Sequence, residues 1–262
     1  MPEPLYTSAN CKPAFELRWS LALFSTCGLS SSDEWLTDLK KAVEVDGVRI
    51  LECQASHQPV LHFLLSTKPT ISPPQIVKSV KGRLQHRIRS SCPGAFQRNF
   101  SLSSVGEVRQ DVIENYVASQ LGHHRMADDR VQERLAAFQL EFPEIDLSEP
   151  VFSSHGRYLF NLHVALVHDG RWCEVREDRL TKTRDMILGV ATKRQHRLSR
   201  VAILSDHVHL TIGCAIEESP ETVALSYMNN LAYAHGMQPL FCRSYYAGTF
   251  GTYDMDAVRR SL

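Results

Sequence analysis

Two histidines separated by one apolar residue stand in Ser205-Asp206-His207-Val208-His209-Leu210-Thr211-Ile212, in a run that reads as strand from Val201 to Ile212. Side chains alternate faces along a strand, so His207 and His209 point the same way. Two imidazoles aimed at one point suit a divalent metal. The same pair also fits two ordinary sheet histidines, one of them hydrogen-bonded. A second candidate is Tyr116-Val117-Ala118-Ser119-Gln120, whose four-residue spacing puts a phenol and a side-chain amide on one helix face. Taken alone, Tyr116 is better explained as a helix tyrosine packing on a sheet with its hydroxyl in water. Two cationic stretches complete the inventory. One holds Lys78, Lys81, Arg83, Arg87 and Arg89, and the other runs from Lys193 to Arg200. Such patches meet phosphates, although a solvated helix face or helix C-terminus explains the second equally well.

The chain that must position these groups has 262 residues, 43% hydrophobic and 22% charged, an ordinary globular composition. Its 29 basic and 29 acidic residues cancel. A nucleic-acid binder is usually basic overall, so any such role rests on the local patches. No apolar run approaches the roughly 20 residues that span a bilayer. The N-terminus lacks the basic and apolar segments of a signal peptide. Seven cysteines without a Cys-x-x-Cys pair suggest reduced thiols and a cytosolic protein.

Periodicity predicts strands at Phe15–Phe24, Val48–Cys53, Val60–Leu65 and Phe100–Val105. Helices are predicted from Glu34 to Glu44, from Pro73 to about Ile88 and from Asp111 to Gln120. Ser31-Ser32-Asp33 offers a cap for the first, and Ser56-His57-Gln58-Pro59 a turn between strands. A polar helix over Ala127–Phe138 and an aperiodic, proline-bounded stretch over Phe142–Pro150 read as a connector. Then the order begins again. A strand is expected at Tyr158–Val167, a helix from Arg176, strands around His207, a helix from Pro220, and an extended Tyr245–Phe250 before a last helix. Ser72-Pro73 answers Ser219-Pro220, and Ser104-Val105-Gly106 answers Thr249-Phe250-Gly251. This is a tandem duplication of one α/β unit. The units are 1–126 and 157–262, with 127–156 between them.

The two halves differ at their chemistry. His62 stands nearly as far before Gly106 as His209 does before Gly251, so Val60 takes the place of His207. His57 is out of step. Tyr116 lies as far beyond Gly106 as Ser261 lies beyond Gly251, and the second half shows no counterpart of Gln120. Each half lacks what the other keeps.

In these residues the chain resembles the single-tyrosine HUH transposases of bacterial insertion sequences. The marks are the histidine-apolar-histidine strand at His207-Val208-His209, the tyrosine helix with glutamine four residues on, and the strands ending in Val105-Gly106 and Phe250-Gly251. The resemblance spans about residues 15–120 and 158–262. It implies an α+β fold of two ferredoxin- or RRM-like units, each an antiparallel sheet with helices on one face, paired as a fused pseudo-dimer. It implies a metal-dependent enzyme that cuts and rejoins single-stranded, hairpin-marked DNA in the bacterial cytoplasm, near the nucleoid. Tyr116 would be the nucleophile, leaving a 5′-phosphotyrosyl link. His207, His209 and Gln120 would hold Mg2+ or Mn2+, with two nitrogen ligands suiting manganese at least as well. Family members often build the site in trans, so the surviving site would take its histidines from the second half and its tyrosine helix from the first. The complementary set (Val60, His62, Ser261) would be inert. Lys78, Lys81, Arg83, Arg87 and Arg89 would hold most of the DNA backbone, because the matching helix of the second half has no Lys or Arg. Phe96 and Phe100 suit core packing better than base stacking. Excising an element needs two cuts. One site per chain therefore implies two chains acting together, or another use such as processing single hairpins. The competing readings are a non-catalytic hairpin DNA- or RNA-binding protein and a hydrolase using a metal-bound water.

Overall fold

The computed structural model describes residues 3–26, 33–55 and 60–261; Ser31, Ser32 and the turn holding His57 lie outside them. The first half runs β1 (Ala14–Glu16), β2 (Arg18–Ser25), α1 (Asp33–Val45), β3 (Val48–Ala55), β4 (Val60–Thr67), α2 (Pro73–Ile88), β5 (Phe96–Val105) and α3 (Gln110–His123). The middle segment adds α4 (Asp129–Ala136), β6 (Gln139–Glu141) and β7 (Val151–Phe152). The order then recurs as β8 (Gly156–Leu159), β9 (Asn161–Val167), α5 (Glu177–Arg194), β10 (Arg197–Ile203), β11 (His207–Gly213), α6 (Pro220–Ala234), β12 (Tyr246–Phe250) and α7 (Met255–Ser261).

The fold is α+β, with two six-stranded sheets ordered β3-β4-β2-β5-β8-β7 and β10-β11-β9-β12 flanked by β6 and β1. Pairing is antiparallel except where β1 joins β12 and β8 joins β5. Those two exceptions explain a departure from the sequence reading. Phe15–Phe24 and Tyr158–Val167 each look like one strand, yet each breaks, at the buried residues Leu17 and Phe160. The leading piece of each pairs with the other half's sheet, so the chain must turn between sheets.

The helices follow local rules. Proline opens α2, where Gln75 Oε1 accepts from the Ser72 backbone N–H at 2.8 Å. Proline also opens α6, where Ser219 Oγ accepts from Thr222 N at 3.1 Å. Helix α2 buries Ile76, Val80, Leu84 and Ile88 with strand residues Leu21, Phe63 and Leu65. Val223, Tyr227 and Leu231 of α6 join Val208, Leu210 and Ile212 in the same core, which runs through both halves. Burying one such side chain is worth about 1.5–3 kcal/mol.

Helices α1 and α2 pack together on the first-half sheet and α5 and α6 on the second, while α3 and α7 are exchanged between the halves. Helix α3 crosses to the opposite face of the second-half sheet, where Val117 and Leu121 meet Ala202 and Leu204. Reciprocally, Met255 and Val258 of α7 pack with Leu64 and Val105 of the first-half sheet. The exchange passes through one joint. Ser104 Oγ donates to Phe250 O at 2.7 Å, and Thr249 Oγ1 donates to Val105 O at 2.7 Å. Gln110 N donates to Gly251 O at 2.9 Å, and Met255 N donates to Gly106 O at 3.0 Å. A Cβ on Gly251 would sit 2.2 Å from Ser104 O, so only glycine permits the approach.

No helix among the described residues is long and apolar enough to cross a membrane. Among the described residues Cys11, Cys53, Cys173, Cys214 and Cys242 are free thiols.

Candidate active site

Strand β11 alternates as its residue types require. Val208, Leu210 and Ile212 face the helices α5 and α6, and His207 and His209 face α3. Both histidines are buried. Their rings are 5.0 Å apart between centroids and nearly perpendicular. His207 Nδ1 lies 2.6 Å from Asp206 Oδ1, and Arg171 holds the other oxygen of that carboxylate at 3.2 Å. His209 Nδ1 lies 2.9 Å from His163 Nε2, with the two rings stacked. The Asp206 carboxylate holds the proton on His207 Nδ1 and leaves its Nε2 for a further ligand; His209 Nε2 is left likewise when His209 Nδ1 is the donor to His163.

Burial in this apolar surround disfavours charge. It pushes His209 down to about 2 and His163 to about 4, and it lowers His207 against the pull of Asp206. The rings are neutral near neutral pH.

Helix α3 delivers Tyr116 to this face. Its ring stands edge-on to His209 at 5.8 Å and to His163 at 5.9 Å. Gln120, one turn on, is 3% exposed, and its Nε2 donates to Tyr116 O at 3.1 Å, leaving the amide oxygen as an acceptor. The tyrosine and the histidines, about ninety positions apart in the chain, are thus neighbours across the two halves. The donor chemistry of His207, His209 and Gln120 fits a divalent ion: two neutral nitrogens, each oriented by a hydrogen bond, and one amide oxygen. Among the described residues no group of three or more His, Cys, Asp and Glu side chains is arranged to hold a metal. Any such site would therefore need the amide.

Three residues that sequence reasoning missed join the cluster. His163 braces His209, the ring of His124 lies 4.8 Å from His207, and the Tyr246 ring lies 5.5 Å from His163. The strand register shows that the missed groups track the pair. His209 pairs with Ala165 as His62 pairs with Ala22. Tyr246 and Gly248 pair with Ala165 and His163, as Ser101 and Ser103 pair with Ala22 and Ser20. The first half therefore carries Ser20, Val60, His62 and Ser101 where the second carries His163, His207, His209 and Tyr246.

The cationic residues lie elsewhere. Helix α2 sits against α1 over the first-half sheet, and a groove of about 810 Å³ between them is lined by Lys78, Arg83 and Arg87. Arg83 grips Asp46 with two 2.6 Å bonds, and Arg87 pairs with Asp38. Lys81 Nζ donates to the carbonyls of Gln97 and Arg98 at 2.6 and 3.0 Å and lies over the Phe100 ring. Among the described residues Lys78 and Arg89 have no ion-pair partner. Phe96 and Phe100 pack against the core. The second stretch is consumed by structure. His196 binds Glu218 and Tyr227, Arg194 pairs with Glu218, and Arg197 holds the carbonyls of Asp146 and Glu149.

Residues 32–120 match the family model described as "Transposase IS200 like". The matched stretch includes His62, Tyr116 and Gln120 and ends before His207. A crystal structure of a candidate transposase from Deinococcus radiodurans aligns with 19% identity over 41% of this chain and 92% of that one, at a TM-score of 0.32. No curated protein matches the chain.

Proposed function

Taking as premise that residues 32–120 are similar to the IS200-like transposases, we propose that this chain nicks and rejoins single-stranded DNA through one composite site. The observation that supports this reading is the edge-on approach of Tyr116 to His209 at 5.8 Å, made by residues from opposite halves. Tyr116 Oη attacks the scissile phosphorus, the bond to the 3′ oxygen breaks, and a 5′-phosphotyrosyl link and a free 3′-OH result. The phenolic proton leaves to water, and the departing oxygen takes one up. Magnesium or manganese, held by His207, His209 and Gln120, would supply Lewis-acid charge at the phosphate. Asp206 and His163 hold the two imidazoles in the orientation that leaves Nε2 toward the site. Reversal of the same step joins strands.

Helix α2 is the backbone-binding element in this reading. Lys78 and Arg89 take phosphates directly. Arg83 and Arg87 must first exchange Asp46 and Asp38 for phosphate, which lowers the net gain from each.

The test incubates the protein with labelled hairpin-bearing single-stranded DNA and manganese and looks for a covalent adduct. The adduct is expected with the wild type and absent in Tyr116→Phe and His207→Ala. Tight binding with no adduct from the wild type would replace this reading with a non-catalytic hairpin-binding protein.

A further inference from the structure

Beside Tyr116 lies an open pocket of about 480 Å³ between the start of α3 and the strands β9 and β12. Val108, Val112, Ile113, Ala165 and the Tyr246 ring line it together with the site residues Tyr116, His163 and His209. Val108 and Val112 are 38% and 45% exposed, an apolar surface that the described residues leave uncovered. The Tyr246 ring forms a flat wall because the residue two places on is glycine: a Cβ on Gly248 would lie 2.5 Å from the Tyr246 hydroxyl. The half that lacks the histidine pair has Ser101 in place of Tyr246 and Ser103 in place of Gly248. The wall and the histidines occur together.

We propose that this pocket seats an unpaired nucleobase, the one next to the phosphate that Tyr116 attacks. The inference rests on the nicking reading and adds a feature of its substrate. A phosphate within bonding reach of Tyr116 Oη brings a flanking nucleotide to the space that the tyrosine ring borders. No Lys or Arg lines that space. Without a cation the space offers a phosphate nothing to bind, while its aliphatic side chains and aromatic face receive a base. A paired base would keep its faces in the stack, so the occupant is unpaired.

The experiment uses the full chain with manganese and hairpin-tailed oligonucleotides carrying 5-iododeoxyuridine at successive tail positions. After irradiation, cross-linked peptides are mapped by mass spectrometry. One tail position is expected to cross-link to the Tyr246 peptide. Val112→Glu, an exposed helix position that leaves the core intact, is expected to abolish that cross-link. It is also expected to weaken binding about tenfold, within the range for one stacked base. With an abasic site at the same position, wild type and Val112→Glu should bind alike. Cross-links mapping only to other peptides, or a Val112→Glu defect equally large on the abasic strand, would overturn the proposal. The Tyr116 adduct is scored in the same reactions. Adduct without a Tyr246 cross-link overturns the base pocket and leaves the nicking reading standing. A Tyr246 cross-link without adduct keeps the base pocket and removes the nicking reading.

Discussion

Gly251→Ala tests how the two halves are held in register. The new Cβ would meet Ser104 O at 2.2 Å, whereas ordinary contact begins near 3.4 Å. The carbonyl would have to retreat by about 1 Å, the kind of overpacking that costs roughly 1–3 kcal/mol. Retreat is resisted because Ser104 is itself bonded to Phe250 O and accepts from Asn161 N. Weakening one of those bonds adds about 0.5–1.5 kcal/mol. The total is about 2–4 kcal/mol, which for a chain of this size lowers the melting temperature by roughly 5–15 °C. Thermal unfolding followed by circular dichroism reads this directly. Gly122→Ala is the control, since nothing lies within 4 Å of its added Cβ in helix α3. A Gly251→Ala melting point no lower than that of the control would refute the close approach at the joint.

Further outcomes are expected. His163→Ala removes the group that orients His209, so manganese affinity measured by calorimetric titration should fall about 10–100-fold; unchanged affinity would mean that His163 has no part in holding the site. Asp46→Asn releases Arg83 for phosphate, so the salt dependence of single-strand binding should steepen by about 0.7 in log–log slope. Arg83 holds the Asp46 carboxyl at about 2, so this pair stabilises the fold above the unfolded value near 3.8 and stops doing so as pH falls through 2; being partly exposed, it is worth no more than about 1 kcal/mol. His163 is kept neutral by burial down to about 4. Its unfolded form takes up a proton near 6.5, so its contribution to stability is constant above that pH and is lost as pH falls from 6.5 to 4. His163→Asn should flatten part of that decline in a pH series of melting temperatures, and an identical slope in both proteins would exclude His163 as its source.

Much of the architecture was legible because it repeats. The Ser-Pro openings at Ser72 and Ser219 and the breaks at Gly106 and Gly251 are local signals, and a local signal survives in one dimension. The breaks at Leu17 and Phe160 were not legible, since both are apolar residues in apolar runs and the turn there is dictated by a strand from the other half. The crossing of α3 and α7 is likewise a property of the joint. At the site, the spacing of His207 and His209 and of Tyr116 and Gln120 announces which faces they occupy, and the comparison of halves suggested that they meet. His163 stood in plain view as a polar interruption on an otherwise apolar strand, opposite Ser20 in the first half. Tyr246 was hidden because an aromatic residue in a strand usually means core. The ion pairs that occupy Arg83 and Arg87 could not be read from α2, because Asp46 and Asp38 come from α1 and its end.

The exchange of α3 and α7 through a single covalent chain also changes how the protein responds to dilution. Where two separate copies must lend each other a helix, the fraction of assembled sites falls as the protein becomes scarce. Here α3 is tethered to the sheet it serves by the intervening segment, so docking is intramolecular and its effective concentration is set by that tether. The docking of α3 on the second-half sheet should therefore persist at dilutions where a dissociating pair would come apart.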